Sequence, residues 1–268
     1  MSFFENCHPY VEALFHSMLS EQSMEKIKKG DHNGDWKFIS DSLNCYYPDI
    51  QKIYRIEDDT DRAYILKTYD KLIIAISGTK SPQGWLRNLK CLNSGGWHYG
   101  FKRSFQNSIL QPMVEAVRGW NGPIKIYGHS AGPAIGLNAD YYLREKFKSD
   151  VELIGFCAPQ AVDKNGKAQC KRAKVRATFI DVGLRDQVDD ISKVANRISH
   201  GAIGGVDYGY QVDLPDMGDP DINKIELIDD YFFGHAPSYV CKCVKQLFQN
   251  WKKPQDAAID EISKFAVR

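Results

Sequence analysis

The pattern Gly-x-Ser-x-Gly, which can supply a nucleophile, spans Gly128 to Gly132 and centres on Ser130. A serine in this pattern sits on a sharp, strained turn that joins a strand to a helix. The two glycines leave room for that turn and for close contact between the helix and the strand. The turn lifts the hydroxyl above the sheet, where the helix N-terminus stabilises developing negative charge. Ser130 is therefore the candidate nucleophile, and the alternative is a glycine-rich turn with an incidental serine.

A nucleophilic serine needs a general base and a carboxylate that orients the base. In hydrolases with this serine motif, the chain order is serine, acid and then histidine. His200 and His235 follow Ser130 at a useful distance. We favour His235, because it lies in a turn before a predicted final helix, where this architecture presents its histidine. The alternative for His235 is a helix-capping or core histidine.

The candidate acid is Asp186, which follows a predicted strand at 175–182 by a short turn. Parallel sheets collect reactive groups at the carboxyl ends of their strands. Asp181 is the rival, although it lies inside the strand pattern. Asp189 and Asp190 are expected on the next helix, facing solvent.

The elements that must position these groups are strands alternating with helices. We predict strands at 52–56, 62–67, 72–77, 123–127, 151–158, 175–182 and 206–214, helices at 9–19, 101–117, from the serine turn to 147 and at 239–251, and a loop at 28–35. The run 72–76 is apolar throughout, which is typical of a strand buried on both faces. This order predicts an α/β fold with a central, mostly parallel sheet flanked by helices. We expect a single domain over residues 1–268, with a helical and loop segment at 1–50 packed on a core at 52–251.

The composition narrows the classes of function. The chain has 268 residues, with 35 basic and 34 acidic side chains and a formal net charge of +1. This balance argues against a nucleic-acid-binding surface, which carries a basic excess. The seven cysteines are odd in number and lack zinc or disulfide spacing, which favours free thiols in a reducing compartment. The N-terminal residues lack the regions of a secretory signal, and no apolar stretch reaches the ~18 residues of a membrane span. We therefore expect a cytoplasmic protein, with export by another route as the alternative.

Six short segments follow one another in a fixed order along the chain. They are ISGT at 76–79 with GWLRNL at 84–89, WHYGF at 97–101, IYGHSAG at 126–132, GFCAPQ at 155–160, DQV at 186–188 and the segment around His235. In this order they resemble the class 3 lipase family, which includes the fungal triacylglycerol lipases, over roughly residues 52–251. The resemblance implies an α/β-hydrolase fold with Ser130, Asp186 and His235 as the catalytic triad.

The resemblance also implies an oxyanion hole, formed by the backbone N–H groups of Thr79 and Ala131. The alternative for Thr79 is a simple turn that ends a strand. Three positions depart from the family pattern: Ser77 stands where arginine is common, Ala131 where leucine is usual and Pro133 where glycine is usual. Because proline is tolerated in the first turn of a helix, these departures affect the expected substrate range more than the fold.

Residues 80–99 correspond to the lid region of the family, and the segment is shorter here than in the fungal lipases. Aromatic and apolar residues within it, including Trp97, predict a small lid or a rim beside the acyl pocket. We expect substrate contacts from Trp85, Leu89 and His129. The alternative is that Trp85 and Leu89 anchor the loop in the core. A short lid predicts weak or absent interfacial activation.

Three hypotheses of function follow from these residues. The leading one is hydrolysis of carboxylic acyl esters, with lipid esters expected, through an acyl-serine intermediate and with no metal or organic cofactor. A phospholipase or an acyltransferase would use the same triad. A non-catalytic, lipase-like binding protein is the third, because fold alone does not establish activity. The expected partners are a lipid or small ester and the surface of a membrane or lipid droplet, with no nucleic acid; the oligomeric state stays open.

Overall fold

A seven-stranded sheet organises the part of the chain that the computed structural model describes, which comprises residues 3–22, 32–58, 61–79, 94–181, 210–213 and 262. Its strands are β1 (Lys52–Glu57), β2 (Arg62–Lys67), β3 (Leu72–Ile76), β4 (Ile124–His129), β5 (Val151–Phe156), β6 (Ala177–Asp181) and β7 (Tyr210–Asp213). They lie in the order β1 to β7, antiparallel from β1 to β3 and parallel from β3 to β7. The predicted α/β fold with a mostly parallel sheet is confirmed.

Helices cover both faces of this sheet. They are a 3₁₀ turn (Phe3–Asn6), α1 (Pro9–Gln22), α2 (His32–Tyr46), α3 (Tyr99–Ser104), α4 (Leu110–Val117), α5 (Ala131–Phe147) and α6 (Lys164–Arg172), and a π-helical segment (Phe105–Ile109) joins α3 to α4. Side chains satisfy the orphan N–H groups at two helix starts. The His98 ring accepts from the N–H of Phe101, and Asp163 accepts from the N–H groups of Asn165 and Gly166.

The side chains of β3 explain why its apolar run is continuous. Ile73 and Ala75 belong to the core formed with α1 and α2, whereas Leu72, Ile74 and Ile76 belong to the core formed with α3 to α6. Successive side chains on a strand point to opposite faces, so a strand covered on both faces needs apolar residues at every position. β3 is therefore fixed between two cores, and its end cannot shift without disturbing both.

Helix α1 is buried over its whole middle, since every residue from 11 to 21 is shielded from solvent. Two of its buried polar side chains, His16 and Glu12, bond to tyrosines in the interior. The imidazole of His16 lies between the hydroxyls of Tyr64 (2.7 Å from Nδ1) and Tyr47 (2.6 Å from Nε2). The carboxylate of Glu12 accepts from Tyr47 (2.7 Å), Lys71 (2.5 Å) and Tyr127 (3.0 Å). This set of six residues, the α1 polar cluster, ties the helix to β2, β3 and β4: Glu12, His16, Tyr47, Tyr64, Lys71 and Tyr127.

Several predicted boundaries differ from the observed ones. Residues 32–35, predicted as part of a loop, begin α2, because Trp36, Ile39 and Leu43 pack into the core. β4 continues two residues beyond its predicted end, since Gly128 and His129 remain paired with β5. The predicted helix at 239–251 lies outside the described residues, as does the predicted strand at 206–214 apart from 210–213.

Candidate active site

Ser130 occupies the turn between β4 and α5, and its backbone is strained. Its φ of 59° and ψ of −120° lie outside the regions that residues with a side chain normally populate. Such a conformation costs on the order of 1–3 kcal/mol and persists only where surrounding contacts impose it. One of those contacts is the bond from the Ser130 N–H to the carbonyl of Phe156, at 2.9 Å. The predicted elbow at Ser130 is thus present as a strained strand-to-helix turn.

Close approach to the end of β3 explains both glycines of the motif. A Cβ on Gly128 would lie 2.8 Å from the carbonyl oxygen of Ile76, and one on Gly132 would lie 2.2 Å from the same oxygen. Distances this short would force the elbow and β3 apart. Glycine at both positions therefore brings the first turn of α5 directly against the strand end that leads to Thr79.

Gly155 in β5 makes room for Pro133, one of the departures from the family pattern. A Cβ on Gly155 would lie 2.3 Å from Cβ of Pro133. The proline lies in the first turn of α5, where its missing N–H costs no helical hydrogen bond. The two residues form a complementary pair, so the proline is built into the packing of the elbow.

The two candidate oxyanion donors, the N–H groups of Thr79 and Ala131, lie on the segment after β3 and at the start of α5. Ala131 is the first residue of α5 and is buried, and Thr79 is partly buried three residues beyond the end of β3. The residue between Ser77 and Thr79 touches the nucleophile, since a Cβ on Gly78 would lie 2.7 Å from Cβ of Ser130. The structure therefore places Thr79 directly after a residue in contact with Ser130.

A carboxylate from α1 reaches this site, and no local sequence signal identified it. Oε1 of Glu21 accepts from the N–H of Gly78 at 2.6 Å and lies 3.3 Å from Nδ1 of His129. Both side chains are almost completely buried, with 5% of Glu21 and 4% of His129 exposed. His129 therefore has an intramolecular partner, and its predicted contact with substrate stays a prediction.

The remaining predicted site residues lie outside the described part of the chain. These are Trp85, Leu89, Asp186 and His235. The rival acid Asp181 is the last residue of β6, where it pairs with Asp213 of β7. β6 lies two strands from β4, about 10 Å across the sheet, with its carboxyl end at the same edge as Ser130.

The position of Trp97 differs from its predicted place in a lid or rim. It was expected among the apolar residues of a lid or rim, but it is buried and its indole N–H donates to Gln169 at 3.0 Å. Its backbone forms a bridge to Val162, and its ring lies 5.1 Å from that of Tyr141. Trp97 therefore anchors the C-terminal end of the segment against α5 and α6.

Neither a metal site nor a membrane span is found in the described residues. No group of three or more histidine, cysteine, aspartate or glutamate side chains in that part of the chain is arranged to hold a metal ion. No helix there is both long enough and apolar enough to cross a bilayer.

The sheet order and the strand-to-helix turn at Ser130 define an α/β-hydrolase fold, and comparison with solved structures agrees. The M37 lipase superimposes with a TM-score of 0.63 over 95% of this chain and 99% of its own, at 12% identity. The triacylglyceride lipase of Rhizomucor miehei gives 0.52 over 84% and 94%, at 19% identity. A lipase–propeptide complex from the same organism gives 0.54 over 76% of this chain and 66% of its own, also at 19% identity. This chain thus spans just under two thirds of that last relative.

No protein-family model and no curated protein sequence matches the chain. At identities below one fifth, the likeness to the lipase structures establishes the shared fold and nothing finer. The resemblance to fungal class 3 lipases predicted from the six motifs is confirmed at that level, because the solved neighbours include such lipases from Rhizomucor and Rhizopus.

Proposed function

We propose that this chain is a serine-dependent hydrolase of carboxylic acyl esters, with lipid esters as its expected substrates. The main support is the backbone of Ser130, which is held in a strained turn between β4 and α5 by contacts with β3 and β5. Strain of this kind is retained where it presents a side chain for chemistry. The names of the structural neighbours, which are lipases, support lipid esters as the substrate class.

In the proposed reaction, Oγ of Ser130 attacks the ester carbonyl carbon while His235 accepts the hydroxyl proton. The carbonyl oxygen becomes negatively charged and accepts hydrogen bonds from the N–H groups of Thr79 and Ala131. His235 then gives its proton to the leaving alcohol, and an acyl-serine remains. Water, deprotonated by the same histidine, attacks the acyl-serine. The bond to Oγ of Ser130 then breaks, the histidine returns its proton to Oγ, and the carboxylic acid is released. Asp186 orients the imidazole throughout.

A phospholipase or an acyltransferase would use the same groups. The two alternatives differ from the leading proposal in the alcohol that leaves or in the acceptor that replaces water. Analysis of the lipid products therefore separates all three. Cytoplasmic location and contact with a lipid surface also stay proposals, and binding to vesicles would test the second.

The decisive test compares the native chain with Ser130→Ala. We expect the native chain to hydrolyse nitrophenyl esters and to react covalently with a fluorophosphonate probe, and Ser130→Ala to lose more than about a thousandfold in rate and all labelling. Ser104→Ala is the matched control, because Ser104 is another fully buried serine, on α3, and is expected to leave both signals intact. A folded native chain that shows neither hydrolysis nor labelling would favour the non-catalytic alternative.

A further inference from the structure

A buried carboxylate beside the candidate nucleophile calls for an explanation. Glu21 comes from α1, more than 100 residues before Ser130, and its Oε1 lies between Gly78 and His129, two parts of the site. A Cβ added to Gly78 would lie 3.0 Å from Oε1 of Glu21 and 2.7 Å from Cβ of Ser130. Removing a carboxylate from water is costly unless it is paired and hydrogen-bonded. The position of Glu21 therefore points to a task at the site.

The first contact of Glu21 fixes a peptide that precedes the oxyanion donor. Beyond β3, the N–H of Ser77 still donates to the carbonyl of Arg62, at 3.0 Å. The next N–H, that of Gly78, turns to Glu21 at 2.6 Å. Glycine has the widest choice of backbone angles, so the orientation of the following N–H, that of Thr79, depends on what holds Gly78.

The second contact joins Glu21 to the elbow itself. Oε1 of Glu21 lies 3.3 Å from Nδ1 of His129, where an ionised carboxylate would accept from an Nδ1–H. His129 immediately precedes Ser130. One carboxylate oxygen thus connects the strand end that leads to Thr79 with the strand end that leads to the nucleophile.

We propose that Glu21 is a positioning residue of the oxyanion hole. By holding the N–H of Gly78 and the ring of His129, it sets the Thr79 N–H relative to Ser130 before substrate arrives. Preorganised donors of this kind stabilise charge without reorganisation during the reaction. This inference rests on the proposed function, since it assigns Glu21 to the same reaction.

The proposal makes a specific statement about which property of Glu21 matters. The oxygen acceptor is needed, because it orients Gly78. The negative charge is not needed, and it opposes the negative charge that develops on the nearby oxyanion. Glutamine keeps an oxygen at the Oε1 position and removes the charge, whereas alanine removes both. The two substitutions therefore separate positioning from charge.

The experiment measures kcat and KM for nitrophenyl butyrate with the full chain, together with the folded fraction from urea unfolding. Glu21→Ala is expected to lower kcat by roughly 10- to 100-fold, because a displacement of about 1 Å in a catalytic group can cost 100-fold. KM is expected to change less than about twofold, since the ester binds before the oxyanion exists. Glu21→Gln is expected to recover kcat to within about threefold of the native value.

Val11→Ala is the control for simple loosening of α1. Val11 is fully buried at the other end of the helix, so its truncation weakens packing without touching Glu21. Its kcat per folded molecule is expected to match that of the native chain.

Three outcomes would overturn the proposal. They are native kcat in Glu21→Ala, equal losses in Glu21→Ala and Glu21→Gln, or a loss in Val11→Ala as large as that in Glu21→Ala. A native chain that neither hydrolyses the ester nor labels at Ser130 would instead remove the proposed function, and the role of Glu21 with it. Native activity with an unaffected Glu21→Ala removes the role of Glu21 alone.

Discussion

Acid should destabilise this protein through His16, the imidazole in the α1 polar cluster. Burial lowers the pKa of His16 from 6.5 to about 3; the charge of Lys71 adds to this effect and that of Glu12 opposes it. The neutral ring also fits the hydrogen bonds. The single hydroxyl hydrogen of Tyr47 goes to Glu12, so Nε2–H of His16 donates to Tyr47 and Nδ1 accepts from Tyr64. A protonated ring would lose that acceptor.

The direction and the size of this effect of pH on the free energy of unfolding follow from proton linkage. A histidine whose pKa is lower in the folded state binds its proton preferentially in the unfolded chain, so stability falls as the pH drops below the unfolded value of about 6.5. With a folded pKa of about 3, the free energy of unfolding should lose about 2 kcal/mol between pH 7 and pH 5, at about 1.4 kcal/mol per unit once the unfolded chain is protonated. The loss ends near the folded pKa.

Urea unfolding at pH 7, 6 and 5 tests this, with the native chain and His16→Gln compared at each pH. We expect His16→Gln to be less stable at pH 7, because hydrogen bonds to two tyrosines are disturbed. Between pH 7 and pH 5, the free energy of unfolding of His16→Gln should fall by about 2 kcal/mol less than that of the native chain, so the two values converge towards pH 5. His8→Gln, on the partly exposed start of α1, is the control and should change the slope less. Parallel curves for the native chain and His16→Gln would refute the argument.

Two further predictions concern the packing around the elbow. Gly132→Ala is expected to lower kcat by about 100-fold or more, because its Cβ would lie 2.2 Å from the carbonyl oxygen of Ile76. The control is Gly136→Ala, about one turn further along α5, where an added Cβ would meet side-chain carbons of Ile126 and Leu153 instead of a backbone carbonyl. It should retain most activity, so equal losses would contradict the prediction. Gly155→Ala is expected to cost about 2 kcal/mol of unfolding free energy by overpacking against Pro133. Adding Pro133→Gly should recover at least half of that cost, and strictly additive effects in this double-mutant cycle would exclude the contact as the cause.

The sequence predicts the centre of this fold well, because the relevant signals are local. β3 is a continuous apolar run, and the glycines around Ser130 are separated by one residue on each side. In both cases the physical constraint acts on adjacent residues. The structure shows the same glycines pressed against the carbonyl of Ile76. The candidate nucleophile Ser130 and the neighbouring strand β3 could therefore both be predicted from the sequence.

The predicted helix at 9–19 is confirmed as α1 (Pro9–Gln22), but the burial of its polar residues could not be predicted from the sequence. Its polar positions, such as Glu12, His16 and Glu21, look like the solvated face of an amphipathic helix. Their partners lie up to 115 residues away, so no window of sequence contains the reason for their burial. No helix is predicted at the position of α2, and its first residues are assigned to a loop, because packing of Trp36 overrides the weak helix propensity of the residues before it.

The buried position of α1 has a consequence for synthesis on the ribosome. Glu12 is synthesised before its partner Tyr127, which follows 115 residues later. At about 5–20 residues per second, the helix waits on the order of ten seconds for β4 to appear. During that interval its apolar side chains lack their final contacts. We therefore expect chaperones to protect α1 while the chain up to β4 is being synthesised.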